Sequence, residues 1–303
     1  MLPLVAIGEK VLSHWVAPRR RRRLIERVPV GARILEIGPG PRPVFPKSRF
    51  PNAKTVDHTT REELIRKFLP TAGVSAEVLA SQIEEVDYVW QSGPLHDLFA
   101  KDDRFDLVFS SHNLEHQTDL ISHFRSIQQL LTDAGEVIFV VPDYRRTFDA
   151  IRYPSTTSDV LIAQEEQRQR HSGKAAFDSL AYSIEVNPGR TVRRADLRKG
   201  VFSYSLDQAK KSFDAHPTAE SAPYEDRHAW VFSPRSLEIL LIELFLLDLI
   251  ALVAIEVTPS AGNEFHCRLT HARRAADHSG GAETLRAGLE KRRKSLFVSQ
   301  LPR

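Results

Sequence analysis

The chain has 303 residues, of which 42% are hydrophobic and 27% charged, and its formal net charge is +3. This length suffices for one large domain, or a domain with an insert, around a sizeable core, and acidic and basic residues are nearly balanced. The single cysteine, Cys267, excludes an internal disulfide and is typical of a reducing compartment. We therefore expect a cytoplasmic protein whose one thiol is inert.

Residues 1–29 are predicted to form an N-terminal helical segment. Its apolar run, MLPLVAIGEKVLSHW, has no basic stretch ahead of it, which argues against a signal peptide. Arg19 to Arg23 are five consecutive arginines. Such a run indicates either an anionic partner or a solvated helix segment before the first strand. We favour the solvated segment, because the rest of the chain carries no recognisable nucleic-acid module.

The stretch RILEIGPGPRP, residues 33–43, reads as a buried strand that ends in a tight turn at Gly38 and Gly40. Glycine at such a turn lets backbone N–H groups approach a ligand closely. A dinucleotide fingerprint needs a third glycine where this chain has Pro43, and the prolines that follow disfavour an immediate helix. The turn therefore indicates a nucleotide-like ligand other than a nicotinamide dinucleotide, with a purely structural turn as the alternative.

Three further apolar strands follow. KTVD ends at Asp57, FDLVFSSHNLEH covers Phe105 to His116, and GEVIFVVPD covers Gly135 to Asp143 after a helical pattern, LISHFRSIQQLLTDAG. Strands that alternate with helices predict a doubly wound α/β fold with a parallel sheet. Ligands bind such sheets at the carboxyl ends of the strands, where the candidate residues can converge.

This order of motifs resembles that of class I S-adenosylmethionine-dependent methyltransferases, especially the small-molecule, methyltransferase type 11-like branch. The resemblance rests on LEIGPG, the acid ending the second strand, FDLVFSSHNLEH and AGEVIFVVP. It covers residues 30–143 and, more loosely, 228–270. It implies a Rossmann-like, mostly parallel seven-stranded sheet, S-adenosylmethionine as the cofactor, and methyl transfer by direct displacement.

The resemblance also implies which residues hold the cofactor. Glu36 is expected beside the methionine amino group, Asp57 at the ribose hydroxyls, and His112 with Asn113 at the sulfonium. Gln91 stands where the family often has an acid near the adenine. The full set that the resemblance assigns to the cofactor is Glu36, Gly38, Gly40, Asp57, Gln91, His112 and Asn113.

His112, Glu115 and His116 form an H-x-x-E-H pattern. We expect no metal there, because His112 belongs to the end of a strand and no third ligand is obvious, although His171 or His228 can approach. A general base is the favoured role, since imidazole titrates near neutrality and can take a proton from an acceptor hydroxyl or amine. His112 and His116 are the candidates, and the alternative is hydrogen bonding that orders the loop.

Tyr144, Arg145 and Arg146 follow the last of these strands directly and are predicted to line the acceptor side of the cleft. An arginine there can bind a carboxylate or phosphate of the substrate through two hydrogen bonds. The alternative is an arginine that pairs with Asp143 or Asp149 and only fixes the following segment.

The chain therefore divides into five predicted parts. After the N-terminal segment come a cofactor-binding core at 30–143, a substrate-recognition insert or lid at 144–227, the remainder of the sheet at 228–271 and a polar tail at 272–303. The apolar stretch Leu237 to Val257 contains four acidic residues, so we interpret it as a buried helix and strand, without stable membrane insertion. The tail is expected to be mobile or to form a homo-oligomer contact.

The function predicted from these features is S-adenosylmethionine-dependent methylation of a small hydroxyl- or carboxyl-bearing metabolite or sugar, with no nucleic-acid partner. Two alternatives stay open. One is a partner protein that binds the cofactor without catalysis, and the other is a nicotinamide-dependent oxidoreductase, which Pro43 disfavours.

Overall fold

The structure is a computed structural model, and it describes residues 26–186, 192–193, 196–216, 226–260 and 262–299. The arginine run, Arg19 to Arg23, and most of the predicted N-terminal helical segment lie outside these residues.

Seven of the described strands form one sheet, and two more form a separate pair. The sheet strands are β1 (Ile34–Ile37), β2 (Ala53–Asp57), β3 (Tyr88–Val89), β4 (Phe105–Ser111), β5 (Leu131–Pro142), β8 (Leu252–Val257) and β9 (Glu264–His271), and the separate pair consists of β6 (Ile184–Glu185) and β7 (Val201–Phe202). The order in the sheet is β3-β2-β1-β4-β5-β9-β8. Strands β1 to β5 run parallel, whereas β9 is antiparallel to both β5 and β8. The predicted doubly wound, mostly parallel seven-stranded sheet is confirmed.

The central strands are apolar on both faces because both faces of the sheet are covered. In β1, Leu35 and Ile37 belong to the larger core cluster on one side, while Ile34 belongs to the smaller cluster on the other side. All four residues of β1 are buried. The strand that precedes the glycine turn is therefore fixed from both sides, which holds the turn in place.

Nine described α-helices accompany the strands. They are α1 (Arg61–Phe68), α2 (Ala76–Gln82), α3 (Leu120–Leu130), α4 (Thr157–Glu165), α5 (Gly173–Ala181), α6 (Leu206–Ala215), α7 (Pro234–Leu246), α8 (Ala272–Ser279) and α9 (Ala282–Val298). Ser233 caps α7, and its hydroxyl accepts a hydrogen bond from the backbone N–H of Ser236 at 3.1 Å. The predicted buried helix is α7, and the predicted strand is β8. Only Leu252 and Val253 of β8 are buried, because β8 is the edge strand of the sheet, so the expectation of a buried strand is wrong for its second half. Within the described residues every helix is too short or too polar to cross a membrane.

The described part of the segment predicted as an insert contains α4, α5, β6, β7 and α6. Its turn after α4 lies over the carboxyl ends of two sheet strands. The backbone N–H of Gly93, after β3, donates to Oε1 of Gln169 at 3.1 Å, and the hydroxyl of Thr118, after β4, donates to the carbonyl of Arg168 at 3.0 Å. These contacts set part of the insert across the edge of the sheet where ligands bind in this class of fold.

After residue 271 come α8 and α9, which are separated by Gly280 and Gly281. Leu296 of α9 packs against Ile239 and Ile242 of α7. Arg292 also forms a two-bond ion pair with Glu238, at 2.6 and 3.0 Å. The predicted polar tail is thus attached to the core through α7.

Candidate active site

The glycine turn after β1 has the backbone geometry that its sequence requires. Gly38 and Gly40 have φ angles of +66° and +54°, which are unfavourable for residues with a side chain. A Cβ added at Gly38 would lie 3.0 Å from Nδ2 of Asn113, whereas one at Gly40 would meet only Phe68, at 3.8 Å. Gly38 is therefore required both by backbone conformation and by the close approach of Asn113, which follows β4.

Asp57 ends β2 beside this turn and is 6% exposed. Its Oδ2 accepts a hydrogen bond from the backbone N–H of Gly40 at 3.4 Å. Its Oδ1 accepts one from the backbone N–H of His58 at 2.8 Å and lies 2.6 Å from Nδ1 of the same residue. The sequence predicted the carboxylate but missed its imidazole partner, although the adjacent acid and histidine at a strand end gave a signal.

Glu36 lies in β1, and its side chain is buried against the proline-rich loop that follows the turn. Its two carboxylate oxygens accept hydrogen bonds from the backbone N–H groups of Val44 and Phe45, at 2.7 and 2.9 Å. These bonds satisfy two buried donors in a loop that forms no helix or strand. The expected contact with a methionine amino group stays a prediction.

Gln91 is exposed and follows β3. The neighbouring Trp90 donates its backbone N–H to the carbonyl of Asp57 at 2.8 Å, so Gln91 lies near the end of β2. The role of Gln91 at the adenine stays a prediction.

His112 and Asn113 follow β4 and point to different neighbours. Asn113 contacts Gly38, as described above, and its Oδ1 accepts a hydrogen bond from Gln117 at 2.8 Å. His112 has a φ of +50°, an uncommon conformation for a residue with a side chain, and donates its backbone N–H to Val140 at 2.9 Å. Its buried ring lies with Nε2 at 3.3 Å from Oε2 of Glu264.

A cluster of buried charged and titratable side chains lies next to His112. Oε1 of Glu115 is 3.7 Å from Nδ1 of His112, 3.8 Å from Nε2 of His116 and 3.9 Å from Nε2 of His228. The rings of His116 and His228 meet edge to face, with centroids 4.8 Å apart. Glu115 is 1% exposed, and burial raises its pKa, although the charges of His112 and His228 act in the opposite direction.

Asp149 anchors one side of this cluster. Its Oδ2 lies 2.6 Å from Nδ1 of His228, and its Oδ1 accepts a hydrogen bond from Arg152 at 2.9 Å. Arg152 also donates to the carbonyl of His228 at 3.1 Å. Burial raises the pKa of Asp149, but Arg152 and then His228 more than offset this and bring it to about 2. Asp149 is therefore an anion at neutral pH.

Of the residues predicted to bind the methyl acceptor, Arg145 forms an ion pair with a neighbouring residue, Asp143. Its Nε and Nη2 donate to the two carboxylate oxygens of Asp143 at 2.8 and 2.7 Å. Arg146 donates to the carbonyl of Gly262 at 3.0 Å, and Tyr144 is partly buried, which raises its pKa. The pairing with Asp143, one of the two roles left open for these arginines, is present, and substrate binding by this group stays a prediction.

From the sequence we predicted that Gly38, Gly40, Asp57 and Asn113 lie close together, and in the structure they do. It did not connect His116 with His228, or recognise Asp149 and Arg152 as their support. The only local signal was an acid and a base three positions apart, in TFDAIR, shortly after the fifth strand.

A comparison with protein families shows which family the chain belongs to. The family profile described as a methyltransferase domain matches residues 13–243. The chain therefore belongs to this family of methyltransferases, and together with the sheet order this confirms the class I S-adenosylmethionine-dependent methyltransferase predicted from the sequence. No curated protein matches the chain.

Solved structures give weaker likenesses. A glycopeptide N-methyltransferase, MtfA, complexed with S-adenosyl-L-homocysteine is 13% identical over 84% of this chain and 86% of its own, with a TM-score of 0.38. The mitomycin 7-O-methyltransferase MmcR is 13% identical over 80% and 49%, with a TM-score of 0.35. A structure described as a putative Zn-dependent alcohol dehydrogenase from Rhodobacter sphaeroides is 14% identical over 84% and 90%, with a TM-score of 0.43. These likenesses are too weak to bear on substrate or mechanism.

Proposed function

We propose that the protein transfers a methyl group from S-adenosylmethionine to an oxygen of a small molecule that bears hydroxyl or carboxyl groups, such as a sugar. One observation carries the cofactor assignment. The glycine turn, the Asp57 carboxylate and the Asn113 amide come from the ends of three neighbouring parallel strands. Asp57 accepts from the backbone N–H of Gly40, and Asn113 lies against Gly38.

The residues present fit this cofactor. Gly38 and Gly40 carry no side chains of their own, so their backbone can approach a ligand closely, and the oxygens of Asp57 retain acceptor capacity for ribose hydroxyls beyond the bonds they already make. Asn113 stands over the turn, where the sulfonium end is expected. Glu36 and Gln91 complete the proposed cofactor contacts. When bound, S-adenosylmethionine supplies an electrophilic methyl group that an acceptor oxygen displaces from sulfur.

The chain's own contribution to the transfer is alignment, exclusion of water and, for a hydroxyl acceptor, removal of a proton. Alignment supplies most of the acceleration of such a displacement. His112 or His116 takes the proton from the hydroxyl as the oxygen bonds to the methyl carbon. A carboxyl acceptor is already ionised at neutral pH and needs no base.

An acceptor enclosed beneath the insert is supported by three contacts. Gln169 and Arg168 contact residues after β3 and β4, and Asp226 receives a 3.0 Å hydrogen bond from Lys67 of α1. A segment tied to the sheet edge in this way is suited to exclude water from the methyl. Tyr144, Arg145 and Arg146 lie at the root of this segment, as the proposed contacts of an anionic group on the acceptor.

Isothermal titration with S-adenosylmethionine tests the cofactor site. Asp57→Ala should weaken binding by roughly 1–3 kcal/mol, because buried hydroxyl donors lose a charged acceptor. Asp106→Ala is the matched control, since Asp106 is an exposed carboxylate near the opposite end of β4 that accepts from the backbone N–H of Arg33 at 2.9 Å. Equal affinity in the Asp57 and Asp106 variants would refute the ribose assignment.

A screen for transfer of labelled methyl groups to sugars, phenols and small acids then tests the reaction. With a hydroxyl acceptor, replacing the catalytic base by glutamine should lower kcat by roughly 10²–10⁴-fold. Cofactor binding without transfer to any of these acceptors would instead favour the non-catalytic partner protein.

A further inference from the structure

Three side chains that commonly bind metals converge beneath the insert. Glu115 and His116 lie in the turn after β4, and His228 lies in the segment that leads to α7. One ligand atom from each can be chosen so that all three lie within 4.8 Å of one another. The two imidazole side chains are each 9% exposed and that of Glu115 is 1% exposed.

The carboxylate of Glu115 is the unusual member of this group. Among the described residues, neither of its oxygens has a hydrogen-bond partner, although both are buried. A buried carboxylate without hydrogen bonds is costly unless a positive charge is close to it. The nearest groups that can carry a positive charge are imidazoles at 3.7 to 3.9 Å, which is too long for hydrogen bonds.

The other ring nitrogen of His228 faces a second carboxylate. Nδ1 lies 2.6 Å from Oδ2 of Asp149, whose Oδ1 accepts from Arg152 at 2.9 Å. A neutral imidazole that donates from Nδ1 to this carboxylate has its lone pair on Nε2, the nitrogen that faces Glu115 at 3.9 Å. At His116 the second carboxylate is that of Asp226, which is partly exposed. Its Oδ1 lies 3.3 Å from Nδ1, an ion-pair contact without hydrogen-bond geometry, while Nε2 faces Glu115.

Histidines that bind metals usually donate their other ring N–H to a carboxylate, which fixes the ring and its tautomer. Both histidines of this cluster have a carboxylate in that place, and Arg152 in turn holds one of those carboxylates. Bonds of about 2.0–2.2 Å arranged tetrahedrally separate ligand atoms by roughly 3.3–3.6 Å. Oε1 of Glu115 lies 3.8 and 3.9 Å from the two imidazole nitrogens, so a cation would draw these side chains together by a few tenths of an ångström or more. We propose that Glu115, His116 and His228 bind one divalent transition-metal cation.

Two imidazoles and one carboxylate suit Zn²⁺ or Mn²⁺ better than Mg²⁺ or Ca²⁺, which prefer oxygen ligands. The proposal replaces the expectation of no metal, which rested on the missing third ligand that His228 provides. Three protein ligands leave coordination positions open, as in catalytic metal sites.

The use of these open positions rests on the proposed function. A hydroxyl of the acceptor that coordinates the cation loses its proton more readily, because the positive charge stabilises the alkoxide. Nε2 of His116 is then occupied by the metal, so His112 takes the proton. The oxygen bonds to the methyl carbon, and the electron pair of the broken methyl–sulfur bond stays on sulfur.

The test uses the full chain without an affinity tag, stripped of metal with a chelator and titrated calorimetrically with ZnCl₂, MnCl₂ and MgCl₂ in the absence of cofactor. We expect one Zn²⁺ per chain, with affinity falling from Zn²⁺ to Mn²⁺ to Mg²⁺. His116→Gln and His228→Gln should each weaken Zn²⁺ binding by more than about 100-fold, and Asp149→Asn by about 10–100-fold.

His96→Gln is the matched control. Its Nε2 also lies near a carboxylate, at 3.5 Å from Oδ1 of Asp97, but it lies outside the cluster. It should bind Zn²⁺ like the unmodified chain. Circular dichroism establishes that each variant is folded, and the visible absorption of bound Co²⁺ gives a second readout of the ligand set.

Substoichiometric Zn²⁺ binding by the unmodified chain, or equal Zn²⁺ affinity in the control and the two ligand variants, would overturn the metal site. Titration with S-adenosylmethionine on the same samples separates this proposal from the preceding one. Cofactor binding without metal binding refutes only the metal site, and metal binding without cofactor binding refutes only the cofactor assignment.

Discussion

Replacement of Gly38 by alanine offers a quantitative test of the glycine turn. The backbone at Gly38 has a φ of +66°, and an L-residue in this conformation costs roughly 1–2 kcal/mol. The new Cβ would also lie 3.0 Å from Nδ2 of Asn113, so the amide of Asn113 must move by a few tenths of an ångström. The substitution therefore combines backbone strain with displacement of a proposed cofactor contact.

Gly73 separates these two effects. Its φ is +65°, almost the same as that of Gly38, but an added Cβ would have no atom within 4 Å. Gly73→Ala should thus show the backbone strain alone. Domains of roughly 150–250 residues lose about 2–4 °C of Tm per kcal/mol, so this strain should lower Tm by a few degrees. Gly38→Ala should lower Tm further and weaken S-adenosylmethionine binding by at least about tenfold, or roughly 1.4 kcal/mol.

Thermal denaturation and calorimetric titration of the two variants are the measurements. Adding Asn113→Ala to Gly38→Ala should restore part of the lost Tm, because the crowded side chain is removed, and the corresponding double-mutant cycle measures the coupling. If Gly38→Ala and Gly73→Ala have the same Tm and the same cofactor affinity, then Asn113 does not constrain the turn and the turn is structural only.

Four further predictions concern single side chains. Cys267 is fully buried, which raises the pKa of its thiol, so it should react with a disulfide reagent only after denaturation, and labelling of the native protein would contradict this. Burial lowers the pKa of His123 to about 3, below the ordinary 6.5. Between these two values the unfolded chain binds a proton that the native chain does not. The free energy of unfolding should therefore fall as the pH drops below 6.5, by about 2 kcal/mol at pH 5. His123→Phe should remove this part of the pH dependence of Tm, and an unchanged profile would refute it. Glu36→Gln should cost roughly 1–3 kcal/mol of stability, because an amide cannot accept from two backbone N–H groups as the carboxylate does, and an unchanged denaturation midpoint would count against the role of those bonds. Arg145→Ala should raise the KM of an anionic acceptor and spare cofactor affinity, whereas the reverse pattern would assign Arg145 to the cofactor site.

The strands and the glycine turn were predictable because their signals are local. The apolar run before Gly38, the acid that ends β2 and the helical pattern before β5 each lie within about ten residues. The parallel sheet then follows from the alternation of strands and helices, which brings the strand ends to one edge. The sequence could therefore predict that the proposed cofactor residues, which the family resemblance assigns, lie close together at those ends.

The histidine cluster was not predictable in the same way. His116 and His228 meet only because the chain returns beside β4 after the insert, and no local pattern encodes that return. Arg145 shows a second limit, since its sequence position fits both substrate binding and pairing with Asp143. Only the side-chain conformation distinguishes these roles, and the structure has the two-bond pair with Asp143.

The antiparallel position of β9 has a consequence for how the chain folds as it is synthesised. The long strand β5 ends at Pro142, but its neighbour β9 begins at Glu264, after the whole insert and α7. Until those residues leave the ribosome, β5 is the open edge of a partial sheet in which the strands β1 to β4 are already complete. Unpaired strand edges invite pairing between chains. The risk of aggregation is therefore concentrated in the interval of synthesis between these two strands, and β9 ends it.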